Sequence, residues 1–301
     1  MKRVLITGVT GYIGSNLAKT LAPNCEVYGL ARKPLNSAYL TPGFQKEIKL
    51  FYFDGTYDSV VTAINESRPD IVYHLAAYYV PNHEIAEMPA LLEGNIVLGA
   101  YLLEAMSMAH CKRLVFTTTP TTHYSGKEYR PLSFYAAAKR AYSDIIEFYA
   151  DIKAFETVEI VLPDTYGPGD KRKKILNLIR EASRKKAPMA LTSGKQIYDV
   201  VYIDDIIKGL IQAGELILNP AAMHHFYQLT SSKYHSLRDT VELMLRINNS
   251  EYQPDWGTLP DPKGIAVPVR IYPVLPGWEP KVPLEDGLKR MWNHIENSSV
   301  K

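Results

Sequence analysis

Val4-Leu5-Ile6-Thr7-Gly8-Val9-Thr10-Gly11-Tyr12-Ile13-Gly14 is an apolar run closed by glycines at a three-and-three spacing, and Ser15-Asn16-Leu17-Ala18-Lys19-Thr20-Leu21 behind it has helical spacing. The order is strand, tight turn, helix start. A helix N-terminus presents unpaired N–H groups and a partial positive charge, so it holds phosphate. Glycine lets the turn close and lets backbone approach a pyrophosphate with no Cβ between them. The spacing is G-x-x-G-x-x-G rather than G-x-G-x-x-G, and the same triplet serves ordinary strand-to-helix turns. Its place directly after a β-branched run at the start of the chain reads as a dinucleotide pyrophosphate site.

Outward from this turn the first half alternates. Strands are expected at Glu26–Ala31, Ile48–Phe53, Asp70–Ala77, Arg113–Thr117 and Val158–Leu162, with helices near Asp58–Glu66, Ala90–His110 and Phe134–Lys153. Such βαβ alternation predicts an α/β fold, a Rossmann-type doubly wound parallel sheet with ligands at the C-terminal strand ends. Beyond Pro163 prolines and glycines become frequent. The expected division is a dinucleotide-binding domain over 1–162, with 195–218 returning to it, and a smaller substrate-binding region from 163–194 and 219–301.

At 301 residues, 46% hydrophobic and 22% charged, the chain has enough apolar side chains for a sizeable core. A net charge of +2 points to neither nucleic acid nor an acidic membrane as partner. Lys171-Arg172-Lys173-Lys174 reads as a solvated helix start rather than a nucleic-acid patch. Two cysteines, Cys25 and Cys111, exclude a disulfide framework and suit a reducing compartment. With no long apolar span and a first strand beginning almost at Met1, a cytoplasmic protein is expected. No set of residues is read as a metal site. Twenty-one tyrosines, several of them in loops, suit stacking on sugars or bases.

The end of the second strand meets the adenosine ribose in such folds, where an acid suits NAD and an arginine suits the 2′-phosphate of NADP. Here Arg32 and Lys33 stand without an acid, which favours NADP(H) over NAD(H), although two basic residues on a loop are common. Asp54 could accept a hydrogen bond from the adenine amino group or equally cap the next helix.

The main chemical signal is Tyr135-Ala136-Ala137-Ala138-Lys139. Residues four apart share a helix face, so the phenol and the ammonium are neighbours, and the cation is expected to draw the tyrosine pKa down. Lys139 can also hold the nicotinamide ribose. A hydroxyl partner belongs at the end of the fifth strand, where Thr119 is the first choice and Thr118 the second, with Thr122 still open.

The glycine turn, His74-Leu75-Ala76-Ala77, Asn95 within Gly94–Gly99, Tyr135-x-x-x-Lys139, Tyr166-Gly167-Pro168-Gly169, Val201–Asp205 and Gly277-Trp278-Glu279-Pro280 together resemble an extended short-chain dehydrogenase/reductase of the epimerase/dehydratase kind, over nearly the whole chain. The resemblance implies a Tyr–Lys–Ser/Thr mechanism, a nucleotide-sugar substrate on the C-terminal region, and homodimers through the helices starting near Ala90 and Phe134. It implies a cofactor held by Gly8, Thr10, Gly11, Tyr12, Ile13, Gly14, Arg32, Lys33, Asp54, Gly55, Leu75, Ala76, Ala77, Asn95, Tyr135, Lys139, Leu162, Pro163 and Thr165. Thr119–Tyr124, the short spacing to Tyr135, and Asp164–Lys174 look more narrowly like the CDP-abequose and CDP-paratose synthases, NADPH-dependent 4-ketoreductases of CDP-linked deoxysugars.

A dehydratase of this kind needs an Asp-Glu pair after the threonine, where Pro120-Thr121 stands here. An epimerase keeps its NAD bound, against which Arg32-Lys33 argues. A dinucleotide sensor commonly lacks the tyrosine or the lysine. Substrate contacts are expected from Tyr78, Thr119, His123 and Asp164. Arg172, Lys195 or Arg270 would serve the diphosphate, since Gln196–Asp199 lacks the arginine many relatives carry there. Each of these charges could equally be an ordinary surface residue. His74 and Trp278 read as packing residues.

Overall fold

The computed structural model describes residues 1–33, 39–124, 126, 128–218, 225–231, 233–261 and 271–294. Strands β1 (Lys2–Thr7), β2 (Cys25–Arg32), β3 (Lys49–Phe53), β4 (Ile71–His74), β5 (Arg113–Thr118) and β6 (Glu156–Val161) form where apolar β-branched and aromatic residues predominate, as strands buried on both faces require. Helices α1 (Tyr12–Leu21), α2 (Pro42–Gln45), α3 (Tyr57–Ser67), α4 (Met88–Leu92), α5 (Leu98–Met108) and α6 (Phe134–Lys153) connect them. With a late strand, β10 (His225–Gln228), the sheet order is β10-β6-β5-β4-β1-β2-β3, all parallel in the registers between neighbours. Strand order reverses between β1 and β4, and ligands bind such sheets at that crevice.

The second half comprises β7 (Asp164–Tyr166), α7 (Ile175–Lys185), β8 (Ile197–Tyr198), β9 (Val200–Tyr202), α8 (Ile203–Ile217), β10 (His225–Gln228), β11 (His235–Ser236), α9 (Leu237–Ile247) and α10 (Leu284–Asn293). Here the expected division needs adjusting. β9 pairs with β7 outside the main sheet, whereas α8 does lie against β5 and β6. β10, expected in the smaller region, extends the main sheet beside β6, where its Phe226 aligns with Glu159. Trp278 is buried and donates from Nε1 to the Asp205 carbonyl at 2.9 Å, so it packs as expected.

One helical run, Ile85–Met108, is long and apolar enough by length and composition to cross a membrane, contrary to the expectation of no such span. In the fold it packs against α3 and α6, burying Leu98, Leu102, Leu103 and Met106. A π turn over Glu93–Val97 interrupts it at Asn95. Such single-turn bulges often mark functional positions.

Candidate active site

The glycine turn is built to be bare. Gly8 sits at φ 71°, and a Cβ there would lie 2.7 Å from the Ala76 nitrogen, so β1 and the loop after β4 close only around glycine. The Gly11 N–H donates to the Gly8 carbonyl at 2.9 Å, and Gly11 starts α1 with no side-chain cap. The first-turn N–H groups of α1 therefore lack a side-chain acceptor, which fits a diphosphate. Thr7 Oγ1 accepts from the Ala76 N–H at 3.1 Å and lies 2.7 Å from His74 Nδ1, fixing the Leu75–Ala77 loop against β1.

Several expected residues take other work. Tyr12 turns inward, buried, and donates to the Pro168 carbonyl at 3.2 Å; only its backbone remains for the cofactor. Asp54 Oδ1 accepts from the Thr56 N–H at 2.9 Å and hydroxyl at 2.6 Å; the helix cap itself is Thr56, which accepts from the Ser59 N–H, so Asp54 braces the capping residue rather than capping α3. Gly55 follows at φ 94°, opposite the Glu93 side chain. Arg32 and Lys33 are exposed at the end of β2, with Lys33 over the Tyr52 ring at 4.5 Å. Ala77 is exposed, Leu162 is partly buried with its N–H on the Thr118 carbonyl, and Thr165 is buried.

A short loop links the turn at Thr119 to the start of α6, which carries Tyr135. Thr119, the first residue after β5, caps the turn Pro120–Thr122: its Oγ1 accepts from the Thr121 N–H at 3.3 Å and lies 2.9 Å from Thr121 Oγ1. The Leu132 N–H donates to the Thr121 carbonyl at 2.9 Å, and Ser133 caps α6 through the Ala136 N–H. That ties the first turn of α6, carrying Tyr135, to the turn that Thr119 begins. Thr118 is buried within β5, and Thr122 is buried with its hydroxyl on the Thr119 carbonyl. Of the three residues, Thr119 is the one only partly buried.

Lys139 is buried on the next turn of α6. Its Nζ donates to the Thr117 carbonyl at 3.0 Å, over the Phe116 face at 4.4 Å. Burial pulls its pKa down to about 7, and Glu159 opposes that shift. Tyr135 departs from expectation: burial, then neighbouring Tyr79, pushes its pKa above the ordinary phenol value. With its pKa near 7, Lys139 is only partly charged at neutral pH, so desolvation of the phenol prevails over the cation. Tyr135 is a protonated phenol at neutral pH.

The substrate side is partly reassigned. Arg172 makes a bidentate ion pair with buried Asp170, Nε–Oδ1 and Nη2–Oδ2 both at 2.8 Å. It also donates to the Thr165 carbonyl and stacks 4.8 Å over Tyr12. It is a clamp between the glycine turn and the loop after β7, with its guanidinium already engaged by Asp170, which leaves it less free for a diphosphate than a lone arginine would be. His123 is buried between Tyr129 and Tyr272, each ring 6.1 Å away. Lys195 is exposed, and Arg270 lies outside the described residues. The Tyr78 carbonyl accepts from Asn95 Nδ2 at 2.8 Å, holding the loop after β4 to the π turn.

Lys174, passed over as part of a basic run, does more than expected. It starts α7, pairs with Asp164 at 2.7 Å and lies 5.4 Å over Tyr79, whose ring meets Tyr135 edge-on at 5.0 Å. No spacing signal distinguishes it from its basic neighbours.

The profile of the NAD dependent epimerase/dehydratase family matches residues 4–226. CDP-abequose synthase of Yersinia pseudotuberculosis is 27% identical over 211 residues, 69% of this chain and 72% of its own length. UDP-glucose 4-epimerase of Mycolicibacterium smegmatis is 25% identical over 99% of both chains. Among solved structures, UDP-glucose 4-epimerase of Thermus thermophilus in complex with NAD superposes with a TM-score of 0.82 over 99% of this chain and 100% of its own. At 23% identity that likeness speaks to the fold.

Proposed function

We propose, because this chain belongs to the NAD dependent epimerase/dehydratase family, that it reduces the 4-keto group of a nucleotide-linked deoxysugar, with CDP as the nucleotide and NADPH as the reductant. The observation that carries this reading is a protonated phenol, Tyr135, on the first turn of α6, which the Leu132–Thr121 hydrogen bond ties to the turn begun by Thr119. A ketone becoming an alcohol needs a proton donor. Pro120 and Thr121 follow Thr119, so the carboxylates of a dehydratase are missing from those positions. The CDP-abequose synthase relative supports the CDP assignment.

The bare Gly8–Gly14 turn and the α1 N-terminus fit a dinucleotide diphosphate, and Arg32 and Lys33 fit a 2′-phosphate. NADPH supplies a hydride when bound. The protein's own part is the placing of a proton and a carbonyl. Thr119 Oγ1 can keep accepting from the Thr121 N–H while its own O–H turns to the sugar C4 oxygen, leaving Thr121 as its resting partner. Tyr135 delivers its proton to the same oxygen. Lys139, charged, steadies the resulting phenolate and holds the cofactor ribose. Lys174, paired with Asp164, lies over the Tyr79 ring next to Tyr135, where the sugar would contact them.

A homodimer through α5 and α6 is part of this reading, supported by Met108, Phe148 and Ile152, which are apolar and exposed on those helices.

The second reading is a nucleotide-sugar 4-epimerase with tightly held NAD, favoured by the full-length match to UDP-glucose 4-epimerase. Two measurements separate them. NADPH oxidation on supply of a CDP-4-keto-deoxysugar is the expected result. NAD released from freshly purified protein, with no NADPH consumed across several 4-keto sugars, would replace this reading with the epimerase one.

A further inference from the structure

The corner where β2 and β3 end holds a carboxylate without a partner. Register sets Arg32 of β2 beside Phe53 of β3, so the exposed cations Arg32 and Lys33 stand next to the Asp54-Gly55 turn. Gly55 has φ 94°, a conformation that favours glycine, and a Cβ there would lie 3.5 Å from Glu93 Oε1. Bare backbone thus faces the Glu93 carboxylate. Asp54, the sequence candidate for the adenine amino group, is engaged by the Thr56 N–H and hydroxyl.

Glu93 is the only charged residue from Met88 to Leu103. It is half-buried, and among the described residues nothing hydrogen-bonds or ion-pairs with its carboxylate. A half-buried charge without a partner gives up hydration and gains nothing in return. Its backbone, by contrast, is firmly fixed. The π turn begins at Glu93, whose carbonyl accepts from the Leu98 N–H. Gly94 packs so closely that a Cβ would lie 3.0 Å from Tyr78 Cβ. Asn95 Nδ2 donates to the Tyr78 carbonyl at 2.8 Å and to the Leu91 carbonyl at 2.9 Å. An unpaired carboxylate on a fixed backbone, across from bare Gly55 and near two cations, suits a ligand carrying both a hydrogen-bond donor and an anion.

An adenosine 2′-phosphate offers both, the amino group on its base and the phosphate on its ribose. We propose that Glu93 is the residue that reads the base of the dinucleotide, its carboxylate accepting a hydrogen bond from the adenine amino group. This rests on the dinucleotide reading of the glycine turn and of Arg32 above, and it moves the recognition of the base from Asp54 to the π turn. A carboxylate only accepts, so it favours a purine with an amino group at position 6 over one with a carbonyl there. Gly55 keeps the facing side free of a side chain.

The test measures Kd by fluorescence for NADPH and for its hypoxanthine analogue, in which a carbonyl replaces the adenine amino group. Wild type, Glu93→Ala, Glu93→Gln and Asp54→Asn are compared. Wild type binds NADPH about 10–100-fold tighter than the analogue, the worth of one hydrogen bond to a charged group. In E93A NADPH weakens by that factor, the analogue hardly changes, and the preference disappears. E93Q narrows the preference, because an amide can accept from one base and donate to the other. D54N keeps it. Both Glu93 variants melt with wild type, since the carboxylate bonds nothing among the described residues. A wild type without the preference, equal weakening of both ligands in E93A, or a preference that E93A leaves intact overturns the proposal; its loss in D54N alone would return the base to Asp54. NADH carries the same adenine, so NADH and its hypoxanthine analogue decide the point for an NAD-dependent enzyme. A wild type that binds NADPH but reduces no keto sugar overturns the proposed function and leaves the Kd comparison to decide on Glu93.

Discussion

Replacing Arg172 with methionine separates a clamp from a substrate ligand. The guanidinium meets Asp170 through two parallel bonds of 2.8 Å, meets the Thr165 carbonyl at 2.7 Å and covers the Tyr12 ring. The Asp170 side chain is 1% exposed, whereas that of Arg172 is 30% exposed. In R172M the buried carboxylate keeps only the backbone N–H of residue 172, at 3.0 Å. Breaking a buried pair on one side costs about 3–5 kcal/mol, and the partial exposure of Arg172 places this case at the lower end, about 3 kcal/mol. For a chain of this size that corresponds to a fall in Tm of about 6 °C. Chemical denaturation and a thermal melt of R172M, D170N and the double variant measure it. The double variant should lose less than the sum of the singles, because the orphaned charge is gone. An unchanged Tm in R172M with a raised KM for the sugar nucleotide alone would show that Arg172 binds substrate, and the clamp would be refuted.

Tyr135→Phe removes the proton donor, so kcat should fall by about 10²–10⁴ while NADPH still binds; a fall below tenfold would assign the proton to another group. Replacing Arg32 and Lys33 together by serine should weaken NADPH by about 10–100-fold, the loss of one or two charge-assisted contacts, and leave NADH unchanged; equal loss for both cofactors would contradict the 2′-phosphate assignment. His74 gives a stability signature. Its pKa, about 3 in the fold, lies below the ordinary histidine value, so between the two the unfolded chain binds more protons and stability drops as pH falls through that window. Denaturation curves should show that slope in wild type and a flatter one in His74→Gln.

The main sheet was legible because both faces of its strands are covered. Continuous runs such as Val4–Thr7 and Arg113–Thr117 are what burial on two sides demands, and glycine at φ 71° marks the turn between strand and helix. α6 stands over Phe134–Lys153 as expected, capped by Ser133. β10 was not legible, since His225–Gln228 is short, partly polar and mostly half-buried. The Tyr135–Lys139 pair could be read from helical spacing, but the charge state of the phenol could not. That depends on how much protein surrounds it, and burial reverses the shift that the neighbouring cation alone implies. Arg172 misled for a related reason. Its partners Asp170 and Thr165 are near in sequence, but the Tyr12 ring beneath it comes from the far N-terminal end of the chain, and only the fold shows the charge already spent.

The central claim is net transfer of a hydride from NADPH to the sugar C4 with Tyr135 supplying the proton. It is tested most directly by incubating the protein with NADPH deuterated at the transferring position and a CDP-4-keto-deoxysugar, then determining the product by mass spectrometry and NMR. One deuterium at C4 for each cofactor oxidised, abolished in Y135F, is the result predicted. A sugar nucleotide free of deuterium, with the added NADPH unconsumed, would contradict it.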